Sequence, residues 1–183
     1  MAKWAFEPGH TAAEFSVRHM MVSWVRGHFK NITGTIEFDP ANPGNSSVDT
    51  SINTAGLWTG DPDRDGHLGG SDFLDVENHS TITFKGNEVE LIGKNDFHVT
   101  GDLTIRGFNR RVSLEVNYLG QWDTPFWVDG KDQGPKTRAG FVAKTTIDRN
   151  DFGISWNGEL EKGGVVVGKD VLITIDVEAL LEQ

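Results

Sequence analysis

The chain of 183 residues has no cysteine, and its 17 basic and 27 acidic residues give a formal net charge of −10. The lack of cysteine excludes disulfides, thiolate zinc sites and cysteine nucleophiles. The acidic balance argues against nucleic acid or an anionic membrane surface as a partner. The length predicts one domain over residues 1–183.

The first residues, MAKWAFEP, lack the apolar core of a signal peptide, and no apolar run reaches the length of a transmembrane helix. We therefore expect a cytoplasmic protein without stable membrane insertion. If an export signal has been removed, a periplasmic location is expected instead.

Apolar and polar residues alternate with a period of two in the first third of the chain, which predicts half-buried β-strands. A strand over residues 3–18 is interrupted at Pro8–Gly9, and alternation recurs over residues 32–38 and 48–54. Residues 18–25 lose the alternation, which predicts a short helical turn. This part of the chain is therefore expected to be mainly β-structure.

An acidic segment at residues 61–77 separates two predicted strands. Its glycines predict a loop, or at most a short, glycine-loosened helix, which we expect to cross one end of a β-barrel as a lid. Arg64 lies among the carboxylates, and its five donors predict pairing with Asp65 or Asp72. His67 is available in the same segment as a hydrogen-bond donor or acceptor.

Alternation resumes after the acidic segment. A phase slip at Gly86–Asn87 predicts a bulge, and the polar residues 121–136 predict a long excursion from the sheet. The strands predicted in this half of the chain cover residues 82–91, 97–105, 112–118, 139–147 and 171–179.

The predicted strands number about eight and hardly any helix is expected, so the fold class is all-β. Antiparallel strands with glycine-rich corners close most naturally into a barrel, because closure removes the exposed edges. A barrel of eight strands has room for packed side chains or for one small ligand. A sandwich of two sheets is the alternative, since alternation alone does not separate these architectures.

The acidic segment also imitates a calcium-binding EF-hand loop. Asp61, Asp63 and Asp65 are followed by Gly66, and Asp72 occupies the twelfth position, where a bidentate glutamate is expected. The flanking segments alternate like strands, whereas an EF-hand requires helices. A calcium-binding β protein is therefore retained only as an alternative function.

Two further patterns point to chemistry without establishing it. Residues 163–170 imitate a phosphate-binding P-loop, but Asp170 stands where a magnesium-binding hydroxyl is required, so a hairpin turn is preferred. His10, His19 and His28 share no single strand or helix face, which leaves a histidine metal site as an alternative. No G-x-S-x-G elbow occurs, and we expect no catalytic residue, no metal and no cofactor.

An aromatic barrel without a catalytic motif favours a module that binds an apolar ligand. Buried methylenes contribute about 0.8 kcal/mol each, so a long apolar chain gains affinity from non-directional contacts alone. The alternative is that the aromatic side chains only fill the core. Alternation predicts inward-facing side chains at Phe15, Val17, Phe97, Val99, Leu103 and Phe141.

Motifs along almost the whole chain resemble those of one family. They are His10-x4-Phe15-x-Val17-x-His19, Val25-x-Gly27-x-Phe29, Arg64–Leu68, Asp72–Asp75, Gly101–Gly107, Arg149–Gly153 and Val167–Val171. In this order, from Trp4 to about Glu178, the chain resembles the YceI-like polyisoprenoid-binding family. It departs from the family pattern at residues 78–80, where a proline-containing turn is usual, and at the long segment 121–136.

The resemblance implies an extended, lipocalin-like eight-stranded barrel with one or two short helical turns. Its tunnel would hold a long-chain polyisoprenoid of the quinone or polyprenyl phosphate type. A carrier is implied, often as a homodimer; an enzyme acting on the isoprenoid head group is the alternative. With the alternation, the resemblance predicts tunnel contacts at Phe15, Val17, Met20, Met21, Trp24, Phe29, Phe73, Phe97, Val99, Leu103, Phe141 and Trp156. Contacts to a polar head are predicted at His19, Arg64 and His67.

Overall fold

A computed structural model describes residues 1–182, and over these residues no helix is long and apolar enough to cross a lipid bilayer. The strands are β1 (Ala2–Phe6), β2 (Ala12–His19), β3 (Ser23–Phe29), β4 (Thr33–Phe38), β5 (Ser47–Asn53), β6 (Thr81–Leu91), β7 (Asp96–Ile105), β8 (Phe108–Val128), β9 (Lys131–Asp148) and β10 (Val167–Leu181). The α-helix α1 covers Pro62–Gly69. Short 3₁₀ helices lie at Pro8–His10, Pro43–Asn45, Thr54–Gly56, Arg149–Phe152 and Glu161–Gly163.

The strands pair antiparallel in the order β1-β4-β5-β6-β7-β8-β9-β10, and β10 pairs back with β1. These strands form a closed eight-stranded barrel, which confirms the predicted barrel over the sandwich. After the 3₁₀ turn at Pro8–His10, β2 continues the line of β1 along β10, and β3 pairs with β2. Because side chains alternate across a strand, closure turns one face of every strand toward a common interior.

The short helical turn predicted over residues 18–25 is wrong, because β2 and β3 form a hairpin there. Their pairing continues up to His19 opposite Ser23. The chain reverses in a tight turn, in which Met20 and Met21 have φ of 51° and 64°. The lost alternation marked a turn within a hairpin, and a few turn residues do not distinguish this from one turn of helix.

The long excursion predicted over residues 121–136 is also wrong. These residues extend β8 and β9, whose pairing runs out to Val128 opposite Lys131. The connecting residues Asp129 and Gly130 have φ of 49° and 74°, and Asp-Gly is a favoured pair for such a turn. The extension is mostly exposed on both faces, so backbone pairing holds it without the apolar alternation that predicts a half-buried strand.

The bulge predicted at Gly86–Asn87 is confirmed by a register shift between Gly86 and Glu88 in the pairing of β6 with β7.

Aromatic side chains fill one region of the interior. The Phe38 ring stands edge-on to those of Phe97 and Phe141, with centroids 6.0 and 5.5 Å apart. Such T-shaped pairs add stability beyond the area that they bury.

The acidic segment forms α1, within the expectation of a loop or a short helix. The Asp61 carboxylate accepts hydrogen bonds from the N–H groups of Asp63 and Arg64, at 3.1 Å each. Pro62 stands at the first position of the helix. A capping aspartate followed by proline is a local signal for a helix start, and it explains why the glycines do not prevent the helix.

Candidate ligand-binding cavity

The barrel encloses a cavity of about 400 Å³, which lies in the usual range for small-molecule sites. Its lining is mostly apolar, because the inward-facing residues of nearly every strand are aliphatic or aromatic. The predicted tunnel residues that line it are Phe15, Val17, Phe29, Phe73, Phe97, Val99, Leu103, Phe141 and Trp156. The predicted head-group residues His19, Arg64 and His67 also line it.

Met20, Met21 and Trp24, which were also predicted as tunnel contacts, do not line the cavity. The β2–β3 turn carries Met20 and Met21 past the barrel wall, where they are 40% and 59% exposed. Trp24 lies on β3 with the Arg18 guanidinium 4.6 Å from its ring centroid. Their closeness in sequence to Phe15 therefore does not place them at the cavity.

Other lining residues were not assigned to the site from the sequence. The largest group is the inward face of β10: Val167, Val171, Ile173, Ile175 and Val177. The alternation of β10 was visible in the sequence and would have supported this assignment. Arg149 also lines the cavity; no hydropathy pattern identifies it, and its place in the Arg149–Gly153 family motif was the available signal.

Arg64 does not pair with a carboxylate, so the predicted contact with Asp65 or Asp72 is wrong. Its Nε donates to Thr59 Oγ1 at 2.7 Å and an Nη donates to the Thr59 carbonyl at 2.9 Å. Asp65 accepts from the N–H and the hydroxyl of the same threonine. Thr59 thus stands between Arg64 and Asp65. It can lie there because Gly27 has no side chain, whereas a Cβ at that position would lie 2.7 Å from the Thr59 methyl carbon.

His67 lies at the surface end of the cavity. Its Nε2 is 3.0 Å from Asp72 Oδ2, and its ring stands edge-on to Phe73 and Trp156, with centroids 5.0 and 4.9 Å apart. The carboxylate and the two aromatic rings fix the orientation of the imidazole. His67 is exposed, so this end of the cavity is in contact with solvent.

Arg149 is a buried cation in the cavity wall, with 4% of its surface exposed. It donates to the carbonyl oxygens of Gly168, Ile154, Trp156 and Val167, at 2.8, 2.7, 2.9 and 3.2 Å. It forms no ion pair with a described residue. Burial lowers the pKa of the guanidinium below its ordinary value. Arg149 therefore fastens the chain after β9 to β10 and keeps a positive charge beside the cavity.

His19, Arg64, His67 and Arg149 form what we call the polar end of the cavity. His19 pairs with Val167, whose carbonyl accepts from Arg149. A second Arg149 hydrogen bond reaches the backbone of Trp156, the residue whose ring contacts His67. All four residues line the cavity, and the role of His19, Arg64 and His67 as head-group contacts stays a prediction.

The charge of the cavity lining is opposite to that of the whole chain. The ionisable side chains of the lining are Glu14, Arg18, His19, Arg64, His67 and Arg149. Three arginines thus face one glutamate, in a protein of net charge −10. Low-dielectric walls strengthen the field of such charges, so the cavity favours an anionic or hydrogen-bond-accepting group at its polar end.

The acidic residues of the EF-hand-like pattern do not converge on a cation site. Asp61 caps α1, Asp65 accepts from Thr59, and Asp72 contacts His67. Helical geometry directs these side chains to different partners, whereas an EF-hand loop turns them toward one centre. Nothing in this geometry favours the calcium alternative.

A second cluster of ionisable groups lies outside the cavity, and we call it the Arg138 cluster. Among residues 1–182, Glu7, His10 and Glu178 are the group whose ligand atoms come within 4.8 Å of one another. Arg138 Nε already contacts Glu7 at 3.0 Å and Glu178 at 2.6 Å. The Arg138 hydrogen bond lowers the pKa of Glu7, while burial raises the pKa of Glu178.

Comparison with known sequences identifies the family. Residues 4–179 match the YceI-like domain. The chain belongs to the YceI-like family. YceI-like relatives include UPF0312 proteins of Ectopseudomonas mendocina, 36% identical over 80% of this chain and 72% of the relative, and of Pectobacterium atrosepticum, 37% identical over 81% and 73%.

Solved structures of YceI-like and related proteins share the barrel. The Campylobacter jejuni YceI protein is 28% identical over 91% of this chain and 90% of its own, with a TM-score of 0.73. Burkholderia cenocepacia BcnA has a TM-score of 0.79 at 22% identity, covering 94% and 98%. A polyisoprenoid-binding domain from Saccharophagus degradans has a TM-score of 0.69 at 12% identity, covering 100% and 99%. The last two similarities concern the fold alone.

Proposed function

We propose that this YceI-like protein is a carrier that holds one long-chain polyisoprenoid in its barrel. The observation that carries this proposal is an apolar cavity of about 400 Å³ with a polar end, whose lining contains three arginines and one glutamate. The structural similarity to a polyisoprenoid-binding domain supports the same ligand class. The hydrocarbon would lie among the aliphatic and aromatic strand residues, with its head group at the polar end.

The affinity is supplied by burial of the chain. Each methylene removed from water contributes about 0.8 kcal/mol, so a few isoprene units offset the cost of immobilising the ligand without any directional contact. This agrees with a lining in which polar groups are few and gathered at one end.

An anionic head group fits the polar end better than a neutral quinone. Arg64 forms hydrogen bonds to neutral Thr59 atoms, and Arg149 to backbone carbonyls, so neither forms an ion pair with a carboxylate. A phosphate would accept charge-assisted hydrogen bonds from His67, His19 or the free donors of Arg64. Within the polyisoprenoid class we therefore favour a polyprenyl phosphate.

The test begins with protein purified without detergent. Organic extraction and mass spectrometry should yield an isoprenoid lipid in near-stoichiometric amount. The carrier proposal is wrong if the extract contains no apolar ligand and the delipidated protein takes up no polyprenyl compound. In that case the aromatic interior is only a core.

A cavity-filling variant makes this test specific. Ala143 lines the cavity on β9, opposite Ile175 of β10, and Ala143→Phe should reduce the bound lipid several-fold. Leu172→Phe is the matched control, because Leu172 is 41% exposed on β10. A thermal melt verifies folding, and Ala13→Leu, also in the lining, replaces Ala143→Phe if that variant does not fold.

An enzyme acting on the head group is the second candidate, and the contact between His67 and Asp72 is the observation that favours it. A carboxylate-oriented histidine is a common general base. Turnover of an isoprenoid pyrophosphate that disappears in His67→Ala would support catalysis. Intact lipid recovered after prolonged incubation supports the carrier.

A further inference from the structure

The turn between β2 and β3 exposes three consecutive apolar side chains, and we call Met20–Val22 the hairpin tip. These side chains are 40%, 59% and 80% exposed. The tip is held in place, because Met20 N–H donates to the Val166 carbonyl at 2.7 Å and Val22 N–H to the His19 carbonyl at 3.1 Å. His19 and Val166 both line the cavity. The hairpin tip therefore stands directly beside the polar end.

The backbone conformation of the hairpin tip is unfavourable for the residues that occupy it. Met20 and Met21 both have positive φ, a conformation that costs a residue with a side chain roughly 1–2 kcal/mol. Asn-Gly is the preferred pair at two such positions. Large apolar side chains are thus held in solvent at positions where neither folding nor solubility favours them, which points to a binding role.

The stretch that contains the hairpin is also locally cationic, whereas the whole chain is acidic. From Phe15 to Ile36 there is no aspartate or glutamate, the longest such stretch in the sequence. Arg18, Arg26 and Lys30 lie in it, and all three are exposed. None of them forms an ion pair in the part of the chain that the structure describes. Arg18 and Arg26 lie two residues before and four residues after the tip, so the apolar tip is flanked by cations without an ion pair.

We propose that the hairpin tip docks the protein on an anionic lipid bilayer, so that a lipid passes between the bilayer and the polar end. Met20–Val22 enter the interfacial region, and Arg18 and Arg26, which lie near the turn on β2 and β3, contact anionic head groups. The docking stands on the hairpin alone, whereas the transfer of lipid rests on the proposed function. The net charge of −10 argues against an anionic membrane as a partner of the whole surface. It does not describe the hairpin, where no acidic residue occurs from Phe15 to Ile36.

A second copy of the chain is a poorer occupant of the same surface. In a two-fold contact, each hairpin tip would bring its own Arg18 and Arg26 against the same cations of its partner. Three apolar side chains also bury much less than the roughly 1,000 Å² expected of a stable interface. An anionic bilayer neutralises the cations and offers an apolar layer of unlimited extent.

The test measures partition of the protein onto vesicles of phosphatidylcholine mixed with phosphatidylglycerol, by sedimentation. The tip variant combines Met20→Asn, Met21→Gly and Val22→Ser, which removes the apolar side chains while giving the turn its preferred pair. Burial of one such side chain shifts partition by about tenfold, so the variant should bind at least tenfold more weakly. The control combines Leu91→Ser with Ile92→Ser, which are 54% and 50% exposed elsewhere and should leave partition unchanged.

The charge arm uses Arg26→Gln, since Arg26 does not line the cavity. A cation near an anionic surface contributes roughly fivefold, and this loss should appear on the mixed vesicles and not on pure phosphatidylcholine. Farnesyl phosphate added in solution, without a bilayer, should be taken up equally by the wild type and both variants. Failure of that uptake in the wild type contradicts the proposed carrier, while the vesicle measurements still decide the docking.

Any of three outcomes would overturn the docking. The first is a wild type that binds neither kind of vesicle, and the second is a tip variant that binds as tightly as the wild type. The third is light scattering that shows a dimeric wild type and a monomeric tip variant. The last result would identify the hairpin tip as a contact between copies of the chain.

Discussion

The polar end of the cavity and the Arg138 cluster use arginine in opposite ways. Arg138 contacts two carboxylates, those of Glu7 and Glu178. Arg64 and Arg149 contact a threonine and backbone carbonyls. Arg138 is itself largely buried, with 16% of its side chain exposed, so burial does not separate the two regions. The chemistry of the partners does, because only neutral partners leave the charge available to a ligand.

Among the changes that test this difference between the two regions, Arg149→Met should have the largest effect on the free energy of unfolding. The change leaves four inward carbonyls without their donor, and we expect a loss of about 3–5 kcal/mol in the free energy of unfolding. Urea denaturation measures it. Arg149→Lys keeps the charge but not the fork of donors, so an intermediate loss is expected. A loss below about 0.5 kcal/mol, the scale of a surface contact, would contradict a structural role.

Arg64→Ala sharpens the comparison at the level of the ligand. Removing a cation at the polar end should weaken farnesyl phosphate about tenfold, or about 1.4 kcal/mol, and leave farnesol nearly unchanged. Tryptophan fluorescence titration measures both affinities. Arg138→Ala is the control, since it should lower stability without changing either affinity. Equal weakening of both ligands by Arg64→Ala would show that Arg64 acts only by supporting the fold.

The smallest effect concerns the pH dependence of the Arg138 cluster. The pKa of Glu7 is lowered from 4.5 by the Arg138 hydrogen bond. The stability from Glu7 is therefore present above pH 4.5 and is lost as the pH falls through its folded value. Glu178 acts in the opposite direction, because its raised pKa means that acid favours the folded state.

Below pH 4.5 the free energy of unfolding should fall less steeply in Glu7→Gln than in the wild type, by less than about 1 kcal/mol. Urea denaturation across an acid pH series checks this, with the exposed Glu115→Gln on β8 as the control. Identical pH profiles for the wild type and Glu7→Gln would contradict the assignment of the lowered pKa to the contact with Arg138.

The closed barrel and much of its lining were predictable from the sequence. Residues such as Phe97, Val99 and Leu103 alternate with polar ones, and the period of a strand converts this spacing directly into an inward face. The Asp129-Gly130 turn carried an equally local signal. It was misinterpreted because the polar strands around it lack alternation, although backbone pairing needs none.

Partner choice was decided by the tertiary structure. Arg64 lies next to Asp65 in sequence, yet both side chains meet Thr59, which Gly27 allows to approach. Arg149 follows β9 and donates to carbonyls at the start of the neighbouring strand β10. The sequence by itself determined which residues face inward, because alternation depends only on the local backbone. Which groups the arginines meet depends on packing between elements, since Gly27 of β3 must lie against Thr59 and β10 must pair beside β9.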